Sequence, residues 1–386
     1  MPENMMLIHG GGPTAVINAS LYGAIRQAKE DPRMGRVLAA IGGTGGLLAG
    51  HVRDLTDIPG DRLEQLLTSP GSAIGTSRDA LAAEDYPRMA EALRAHGVRW
   101  ALMNGGNGTM DACGRLSEAC RGLGIGVIGI PKTMDNDLAV TDHAPGYGSA
   151  ARYMAQSVAE VAADVRGLPI HVVVVEASGR NAGWVAAASS LARQAGVDGP
   201  DLIYLPERPF KEEAFLTDVA ALIERKGGVV VVASEGLTGP GGRPLVPPVF
   251  QAGRATYFGD VSAHLAQLVI RRLGYKARSE KPGLLGRASM AHVSPVDRAE
   301  AVLVGREAVR AALAGETGRM VTLRRVEGEA YRVQTVLVDV REVMLHERRV
   351  PDAFINVRGN GVTEAFCRWC APLIGPPLAP LVSFRG

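Results

Sequence analysis

The stretch Gly124-Ile-Gly-Val-Ile-Gly-Ile-Pro-Lys-Thr-Met-Asp-Asn-Asp137 decides the fold that we expect of this chain. Its first half is a short apolar run, which is typical of a buried β-strand. Pro131 ends the hydrogen-bond ladder of that strand because proline has no N–H and fixes its own φ. A lysine, a threonine and two aspartates follow directly. Because open α/β sheets bind ligands beyond the carboxyl ends of their strands, the stretch predicts a functional site at this point.

Asp135 and Asp137 are close enough to influence each other. If the chain stays extended they share a face, and if it turns, one can meet a substrate while the other binds a metal or a loop. Two neighbouring carboxylates need a cation or a hydrogen-bond donor between them, or one becomes protonated, and Lys132 is a candidate for that cation. The alternative is a polar turn that caps the next helix, since Asp and Asn favour such positions.

Length and composition limit the possible classes of protein. A chain of 386 residues is long for one compact domain and suits two lobes. A net charge of +2 gives no bias towards nucleic acid or membrane surfaces, so we predict neither as a partner. The sequence has no signal-peptide pattern and no apolar run of the ~18 residues that a membrane span needs, which predicts a cytoplasmic protein. Cys367 and Cys370 are interpreted as small apolar residues of a C-terminal helix, with a metal or redox site as the alternative.

Four glycine-rich loops follow predicted strands. They are His9-Gly-Gly-Gly-Pro-Thr14, Gly42-Gly-Thr-Gly-Gly46, Pro70-Gly-Ser-Ala-Ile-Gly-Thr-Ser-Arg78 and Asn104-Gly-Gly-Asn-Gly-Thr-Met-Asp111. Bare backbone N–H groups at a helix N-terminus bind anions, although one such loop is an ordinary tight turn. Four loops at one sheet edge predict a large, phosphate-rich ligand. Arg78 would add a cation there, with a solvated surface arginine as the alternative.

Strands and helices alternate along the whole chain. The apolar patterns predict strands at 171–176, 229–233 and 331–340 and helices at 149–165, 261–273 and 295–314. This alternation predicts an α/β fold of two lobes, each a mostly parallel sheet flanked by helices.

Taken together, these motifs resemble those of the phosphofructokinase family over nearly the whole chain. The most specific of them is Pro131-Lys-Thr-Met-Asp-Asn-Asp137. The first glycine loop and Gly359-Asn-Gly-Val-Thr-Glu-Ala-Phe366 look closest to the bacterial branch usually described as pyrophosphate-dependent. The resemblance implies a phosphoryl-donor lobe at 1–146 and 286–338 and a sugar-phosphate lobe at 147–285 and 339–386. The active site would lie in the cleft between them, in a homodimer or homotetramer.

The resemblance also implies a role for individual residues. Asp135 would be the base that takes the proton from the 1-hydroxyl of fructose 6-phosphate, with Thr133, Lys132 and Arg180 acting on the phosphoryl group. The sugar phosphate would be bound by Asp137, Ser178, Gly179, Glu235, Arg278 and Arg287, with Arg278 donated by a neighbouring subunit. The donor phosphates would be bound by Gly11, Gly12, Arg78, Gly106, Asn107, Gly108 and Thr109. Mg²⁺ would bind Asp135, Asp137 and, weakly, Asn107.

Two residues indicate different phosphoryl donors. In the family, a lysine at Lys132 goes with pyrophosphate, whereas ATP users usually have glycine there. Gly108 is as in ATP users, because pyrophosphate users commonly have an Asp that crowds the nucleotide site. We therefore predict reversible transfer from pyrophosphate to fructose 6-phosphate. The alternatives are an ATP-dependent kinase of this or another sugar phosphate and a catalytically weak binding paralogue.

Three further departures from the family pattern affect the metal and the acceptor. Asn107 replaces the usual magnesium-binding aspartate, so Asp111, Asp135 or substrate oxygens would have to compensate. Ser178 replaces a methionine, and His171 stands where many bacterial members have a sugar-phosphate arginine. These two departures leave the identity of the acceptor sugar phosphate open.

Overall fold

The computed structural model describes residues 3–168, 171–252, 255–328, 330–344 and 346–384, with the backbone alone for the described part of 251–258. The strands are β1 (Glu3–His9), β2 (Met34–Ala40), β3 (Val52–Asp54), β4 (Val98–Gly105), β5 (Gly126–Pro131), β6 (Val172–Ala177), β7 (Leu202–Tyr204), β8 (Val229–Ser234), β9 (Pro248–Ala252), β10 (Ala255–Phe258), β11 (Ala277–Glu280), β12 (Arg319–Arg325) and β13 (Val333–Asp339). The helices are α1 (Ile17–Lys29), α2 (Gly43–Leu48), α3 (Gly60–Gln65), α4 (Asp85–Ala95), α5 (Asn107–Ala119), α6 (Tyr147–Gly167), α7 (Trp184–Ala188), α8 (Glu212–Lys226), α9 (Val261–Leu273), α10 (Leu285–Ala288), α11 (Pro295–Leu313) and α12 (Glu364–Cys370).

The chain forms two compact units, each built from two separate segments. Unit 1 comprises Met1–Tyr147 and Arg287–Arg348, and unit 2 comprises Gly148–Gly286 and Arg349–Gly386. The segment that returns to unit 1 extends past the expected end at 338. It does so because Val340 and Val343 are buried in the core of unit 1, and because the N–H of Arg348 donates to the carbonyl of Asp137 (2.8 Å).

Unit 1 is organised around a seven-stranded sheet in the order β13-β12-β5-β4-β1-β2-β3. The five central strands are parallel, and the edge strands β3 and β13 are antiparallel. Alternate residues of β1 enter two different cores. Met5 and Leu7 join the core on the side of α1 and α11, and Met6 and Ile8 join the core on the side of α4 and α5. Burial on both faces explains why these strands are apolar runs rather than alternating ones.

Unit 2 contains a four-stranded parallel sheet in the order β11-β6-β8-β7 and a separate hairpin of β9 and β10. Val172 and Val174 of β6 face a core that α8 and α9 cover. The α/β class and the mostly parallel sheets predicted from the sequence are thereby confirmed. None of the helices in the described ranges is long and apolar enough to cross a membrane.

Candidate functional site

The chain turns sharply after β5. The N–H of Lys132 makes the last bond to β4, at the carbonyl of Gly105 (3.1 Å). Asn136 then adopts a left-handed conformation with φ of 52°, and its Oδ1 accepts the N–H of Ala144 (3.1 Å). The extended alternative for the two aspartates is therefore excluded. The helix-capping alternative is excluded too, since α6 begins only at Tyr147.

The turn gives Asp135 and Asp137 different surroundings. The hydroxyl of Thr133 donates to Oδ1 of Asp137 (2.9 Å) and accepts the N–H of Asp135 (3.1 Å). Nδ2 of Asn107 donates to Oδ2 of Asp137 (3.0 Å). Burial raises the pKa of Asp137, against these hydrogen bonds from Thr133 and Asn107. Asp137 is thus held by two side-chain donors, Thr133 and Asn107.

Lys132 is a buried cation, with 3% of its surface exposed. Its ammonium donates to the carbonyl oxygen of Gly12 in the first glycine loop (2.6 Å). Burial lowers the pKa of Lys132 to about 8, although the charges of Asp135 and Asp137 oppose the shift. The ammonium is therefore incompletely compensated by the carboxylates around it.

Two arginines complete a positive site around Gly12. A Cβ atom added at Gly12 would lie 2.4 Å from Nη1 of Arg287 and 3.1 Å from Nη2 of Arg78. Burial and the neighbouring charge of Arg78 lower the pKa of Arg287. Three cations (Arg78, Lys132 and Arg287) thus share this part of unit 1 with two carboxylates (Asp135 and Asp137). An anion is the ligand that such an excess of positive charge favours.

The first, third and fourth glycine loops pack against one another. The N–H of Gly10 donates to the carbonyl of Asn104, and the N–H of Gly11 donates to that of Ser77 (both 2.9 Å). A Cβ at Gly10 or Gly105 would lie 2.3 or 2.1 Å from the hydroxyl oxygen of Thr109, so only glycine fits at either position. The structure therefore places the loops that contain all seven residues predicted to bind the donor against one another: Gly11, Gly12, Arg78, Gly106, Asn107, Gly108 and Thr109.

The second glycine loop packs against the first and third loops, because a Cβ atom added at Gly43 would lie 2.7 Å from the carbonyl oxygen of His9 and 2.4 Å from the hydroxyl oxygen of Ser77. Gly43 begins the short helix α2, and Thr44 and Gly45 both donate to Oδ2 of Asp79 (2.5 and 2.6 Å). The hydroxyl of Ser77 donates to the same oxygen (2.5 Å). The second loop therefore supports the backbone on either side of Arg78. A lone Asp after an arginine gave no signal of this supporting role in the sequence.

His9 is a further residue that the sequence did not single out. It is buried, and Nδ1 lies 2.8 Å from the hydroxyl of Ser72 in the third loop. Burial and the charge of Lys132 lower the pKa of His9 to about 3. His9 is therefore a neutral link between two glycine loops and adds no charge to the site.

In unit 2, the carboxyl ends of β6 and β8 form a second cluster of predicted site residues. The N–H of Gly179 donates to the carboxylate of Glu235 (3.2 Å), and the hydroxyl of Ser234 donates to the carbonyl of Gly179. A Cβ at Gly236 would lie 1.6 Å from the carbonyl oxygen of Arg180. The loop that follows β6 therefore lies against the loop that follows β8, which brings together Ser178, Gly179, Arg180 and Glu235.

Two residues expected on the acceptor side lie elsewhere in unit 2. Arg278 is on the edge strand β11, exposed, and pairs with Val173 in the first half of β6. His171 precedes β6, and its Nδ1 accepts the N–H of Lys276 (3.3 Å). Ser178 follows the opposite end of β6, so His171 and Ser178 do not form one group within this unit.

The possible metal ligands are few. Across the described part of the chain, no group of three or more His, Cys, Asp or Glu side chains is placed to hold a metal ion. Asp111 is paired with Arg115 (3.2 Å), so it is not available to replace the missing acidic ligand. The buried Oδ1 of Asn107 has no hydrogen-bond partner in this part of the chain, and it belongs to the side chain that contacts Asp137. An amide oxygen beside a carboxylate is a donor pair that Mg²⁺ accepts.

Comparison with known proteins agrees with this fold. The family model for phosphofructokinase matches residues 4–312. The chain is 40% identical to the pyrophosphate--fructose 6-phosphate 1-phosphotransferase of Xanthomonas campestris pv. campestris (strain B100), over 96% of this chain and 91% of that protein. It is 36% identical to the enzyme of the same name from Rhodospirillum rubrum, over 96% and 94%. A crystal structure of pyrophosphate-dependent phosphofructokinase from Marinobacter aquaeolei is similar with a TM-score of 0.88 and 34% identity, over 99% of this chain and 94% of that chain.

The fold and the relatives at 36% and 40% identity define a phosphotransferase. The chain belongs to the phosphofructokinase family, and the resemblance drawn from its motifs is confirmed.

Proposed function

We propose that the protein transfers a phosphoryl group from pyrophosphate to the 1-hydroxyl of fructose 6-phosphate, giving fructose 1,6-bisphosphate and phosphate, reversibly. The observation that carries the proposal is the buried ammonium of Lys132, held at Gly12 between Arg78 and Arg287. A compact cluster of three cations suits a small, highly charged phosphate donor. The names of the relatives from Xanthomonas and Rhodospirillum support the same donor and acceptor.

Asp135 is the base in this proposal, and it takes the proton from the attacking hydroxyl. Thr133, Lys132 and Arg180 stabilise the charge on the transferring group, and Asp137 keeps the loop in register through Thr133 and Asn107. In-line phosphoryl transfer requires positioning and cations more than covalent chemistry, which fits a site of this composition.

Mg²⁺ is the cofactor in the proposal, with Asp135, Asp137 and Oδ1 of Asn107 as its protein ligands. When bound, the ion would neutralise charge on the donor oxygens. One or two carboxylates are sufficient for Mg²⁺, because it keeps several waters and binds substrate phosphates.

We assign the donor to unit 1 and the sugar phosphate to unit 2, where Ser178, Gly179 and Glu235 would bind it. Arg287, predicted to bind the sugar phosphate, lies beside Gly12 and Arg78 in unit 1. From that position it would bind a phosphate group in unit 1. Arg278 would act in the neighbouring subunit of a cytoplasmic homodimer or homotetramer.

ATP is the second candidate donor because of one observation. A Cβ atom at Gly108 would have no heavy atom within 4 Å, so this position offers open space beside the donor loop. A coupled assay with pyrophosphate and with ATP, each with fructose 6-phosphate and Mg²⁺, separates the two candidates. Absence of turnover with pyrophosphate would overturn the proposed function.

The role of Asp135 is tested by Asp135→Asn. We expect kcat to fall by about 10³-fold, within the range for loss of a general base, while the substrates still bind. Asp57→Asn, the same change at an exposed position of unit 1, is the matched control and should keep full activity. Binding measured by calorimetry distinguishes a lost base from a lost site.

A further inference from the structure

The catalytic loop, residues 132–137, is hydrogen-bonded to a second segment, residues 141–146, which takes no part in the proposed reaction. The carbonyl of Pro145 accepts the N–H of Thr133 (3.1 Å), and the N–H of Ala144 donates to the side chain of Asn136 (3.1 Å). Thr133 also forms an isolated parallel bridge with Gly146. This segment therefore fixes the backbone on both sides of Asp135.

The segment is held by a buried histidine between two carboxylates. The His143 side chain is 1% exposed, with Nδ1 2.8 Å from Oδ1 of Asp142 and Nε2 2.7 Å from Oε2 of Glu300 on α11. Each contact needs a proton between nitrogen and oxygen, so with both carboxylates ionised the ring is an imidazolium. The ring ties residues 141–146 to a helix on the other side.

The charged groups around the ring form one cluster. Nε of Arg325 on β12 donates to the same oxygen of Asp142 (3.0 Å), and the hydroxyl of Tyr331 donates to Oε1 of Glu300 (2.6 Å). Burial lowers the pKa of Arg348, and the charge of Asp142 opposes this shift, so Arg348 belongs to the same cluster. Three cations (His143, Arg325 and Arg348) thus share two anions (Asp142 and Glu300), with Tyr331 as the neutral titratable group. Loss of the ring proton would remove the proton from one of the two contacts between the ring and the carboxylates.

We infer that His143, as an imidazolium between Asp142 and Glu300, is the positioning residue that holds residues 133–137 of the catalytic loop in their active geometry through residues 141–146. The inference rests on the proposed function, because it concerns the same site. The geometry of Thr133 and Asp135 would then depend on the protonation of His143, although the reaction does not consume that proton.

The contacts of residues 141–146 predict how a change at His143 affects kcat and KM. The hydrogen bonds of this segment reach the catalytic loop at Thr133 and Asn136, whereas its contact with the glycine loops is with Thr14, the last residue of the first loop, beside Gly146. Displacement of the catalytic loop should therefore lower kcat more than it raises KM for pyrophosphate. Burial alone would lower the pKa of His143, but the hydrogen bonds and charges of Asp142 and Glu300 raise it to about 9. Wild-type kcat should fall above this pH.

The test uses His143→Gln, with His51→Gln at an exposed position of unit 1 as the matched control. We expect His143→Gln to lower kcat at least tenfold, to leave KM for pyrophosphate within about threefold, and to abolish the alkaline fall of kcat near pH 9. His51→Gln should behave as wild type. A folded His143→Gln protein with wild-type kcat, or one that keeps the alkaline fall, would overturn the inference.

Glu300→Gln keeps the test decisive if His143→Gln does not fold. It retains a carbonyl acceptor for the ring and removes one charge, so the alkaline fall of kcat should move to lower pH by about one unit, and an unmoved profile would contradict the inference. The imidazole NMR signal of His143 can be assigned without measuring turnover, because it disappears in His143→Gln or moves in Glu300→Gln. We expect this signal to titrate near pH 9. If wild type turns over only ATP, the proposed donor is wrong, and the same kcat ratios measured with ATP still decide the role of His143.

Discussion

Lys132 and His143 are two buried cations in the described part of unit 1, and they differ in the balance of cations and carboxylates around them. Lys132 lies with two further cations and two carboxylates, and its pKa is lowered. His143 lies between two carboxylates, with Arg325 beside one of them, and its pKa is raised. A cation such as His143, whose charge is neutralised by neighbouring carboxylates, stabilises the fold and positions the loop. A cation left in excess can be neutralised only by a ligand, so the imbalance itself marks the phosphate site.

The sharpest test of this difference is Lys132→Met. Removing one preorganised cation from a phosphoryl-transfer site should lower kcat/KM for pyrophosphate by about 10²–10³-fold. Stability should not fall, because the lowered pKa shows that burial of the charged form is unfavourable. Activity with pyrophosphate and thermal unfolding are measured on the same preparation.

Lys211→Met, at an exposed lysine, is the control for the loss of a positive charge. If Lys132→Met lowers stability as well as activity, Lys132 resembles His143 and the distinction between the two cations fails. An equal loss with pyrophosphate and ATP would remove Lys132 as the determinant of the donor.

The pH dependence of wild type separates the same two cations. With pyrophosphate as the varied substrate, kcat/KM should fall about tenfold per pH unit above about pH 8, as free Lys132 loses its proton. The folded-state pKa of Lys132 is below its ordinary value of 10.5, so its ionisation costs stability below pH 8, and that cost disappears by pH 10.5. The folded-state pKa of His143 is above 6.5, so its stabilisation is complete below pH 6.5 and is lost as the pH rises through 9.

Unfolding temperatures and kcat/KM measured from pH 6 to 10 should therefore diverge. The activity limb near pH 8 should be absent in Lys132→Met, and the alkaline loss of stability should be absent in His143→Gln. One common pKa for both properties would show that a single group controls them.

The smallest expected effect comes from Gly12→Ala, which leaves the three cations in place and moves one of them. The added Cβ would meet Nη1 of Arg287, the far end of a flexible side chain, so the protein should fold. Displacement of the guanidinium should raise KM for pyrophosphate about tenfold, the effect of one weakened charged hydrogen bond. Gly60→Ala, whose Cβ would have no neighbour within 4 Å, is the matched control. An unchanged KM would exclude Arg287 from the donor site.

The sequence was sufficient to predict the fold class and the Lys132 cation because both depend on local patterns. An apolar run that ends at Pro131 and a lysine beside two aspartates can be recognised within a few residues. The four glycine loops also lie together, and the N–H of Gly42 in the second loop donates to the carbonyl of Ile74 in the third (2.9 Å). Parallel strands explain the placement of the first, second and fourth loops. The third loop follows a 3-10 helix, Leu66–Thr68, and not the predicted strand.

The His143 cluster could not be predicted in this way. Its partners Glu300 and Arg325 are 157 and 183 residues from His143 and Asp142. A single histidine in a loop carries no signal of two distant carboxylates. Arg287 lies in unit 1, within the segment 286–338 that the resemblance assigned to the donor lobe, so its placement came from the resemblance and not from a local pattern.

The interrupted order of the two units has a consequence for synthesis of the chain on the ribosome. Strand β5, which carries the catalytic loop, pairs with β4 on one side and with Arg319 and Met320 of β12 on the other. All of Gly148–Gly286 must leave the ribosome before β12 exists. Until then β5 is an open sheet edge, a structure that recruits other strands and promotes aggregation. Nascent chains of this protein therefore expose one edge of β5 from the synthesis of Pro131 until that of Arg319, and this interval is where a holding chaperone would protect them.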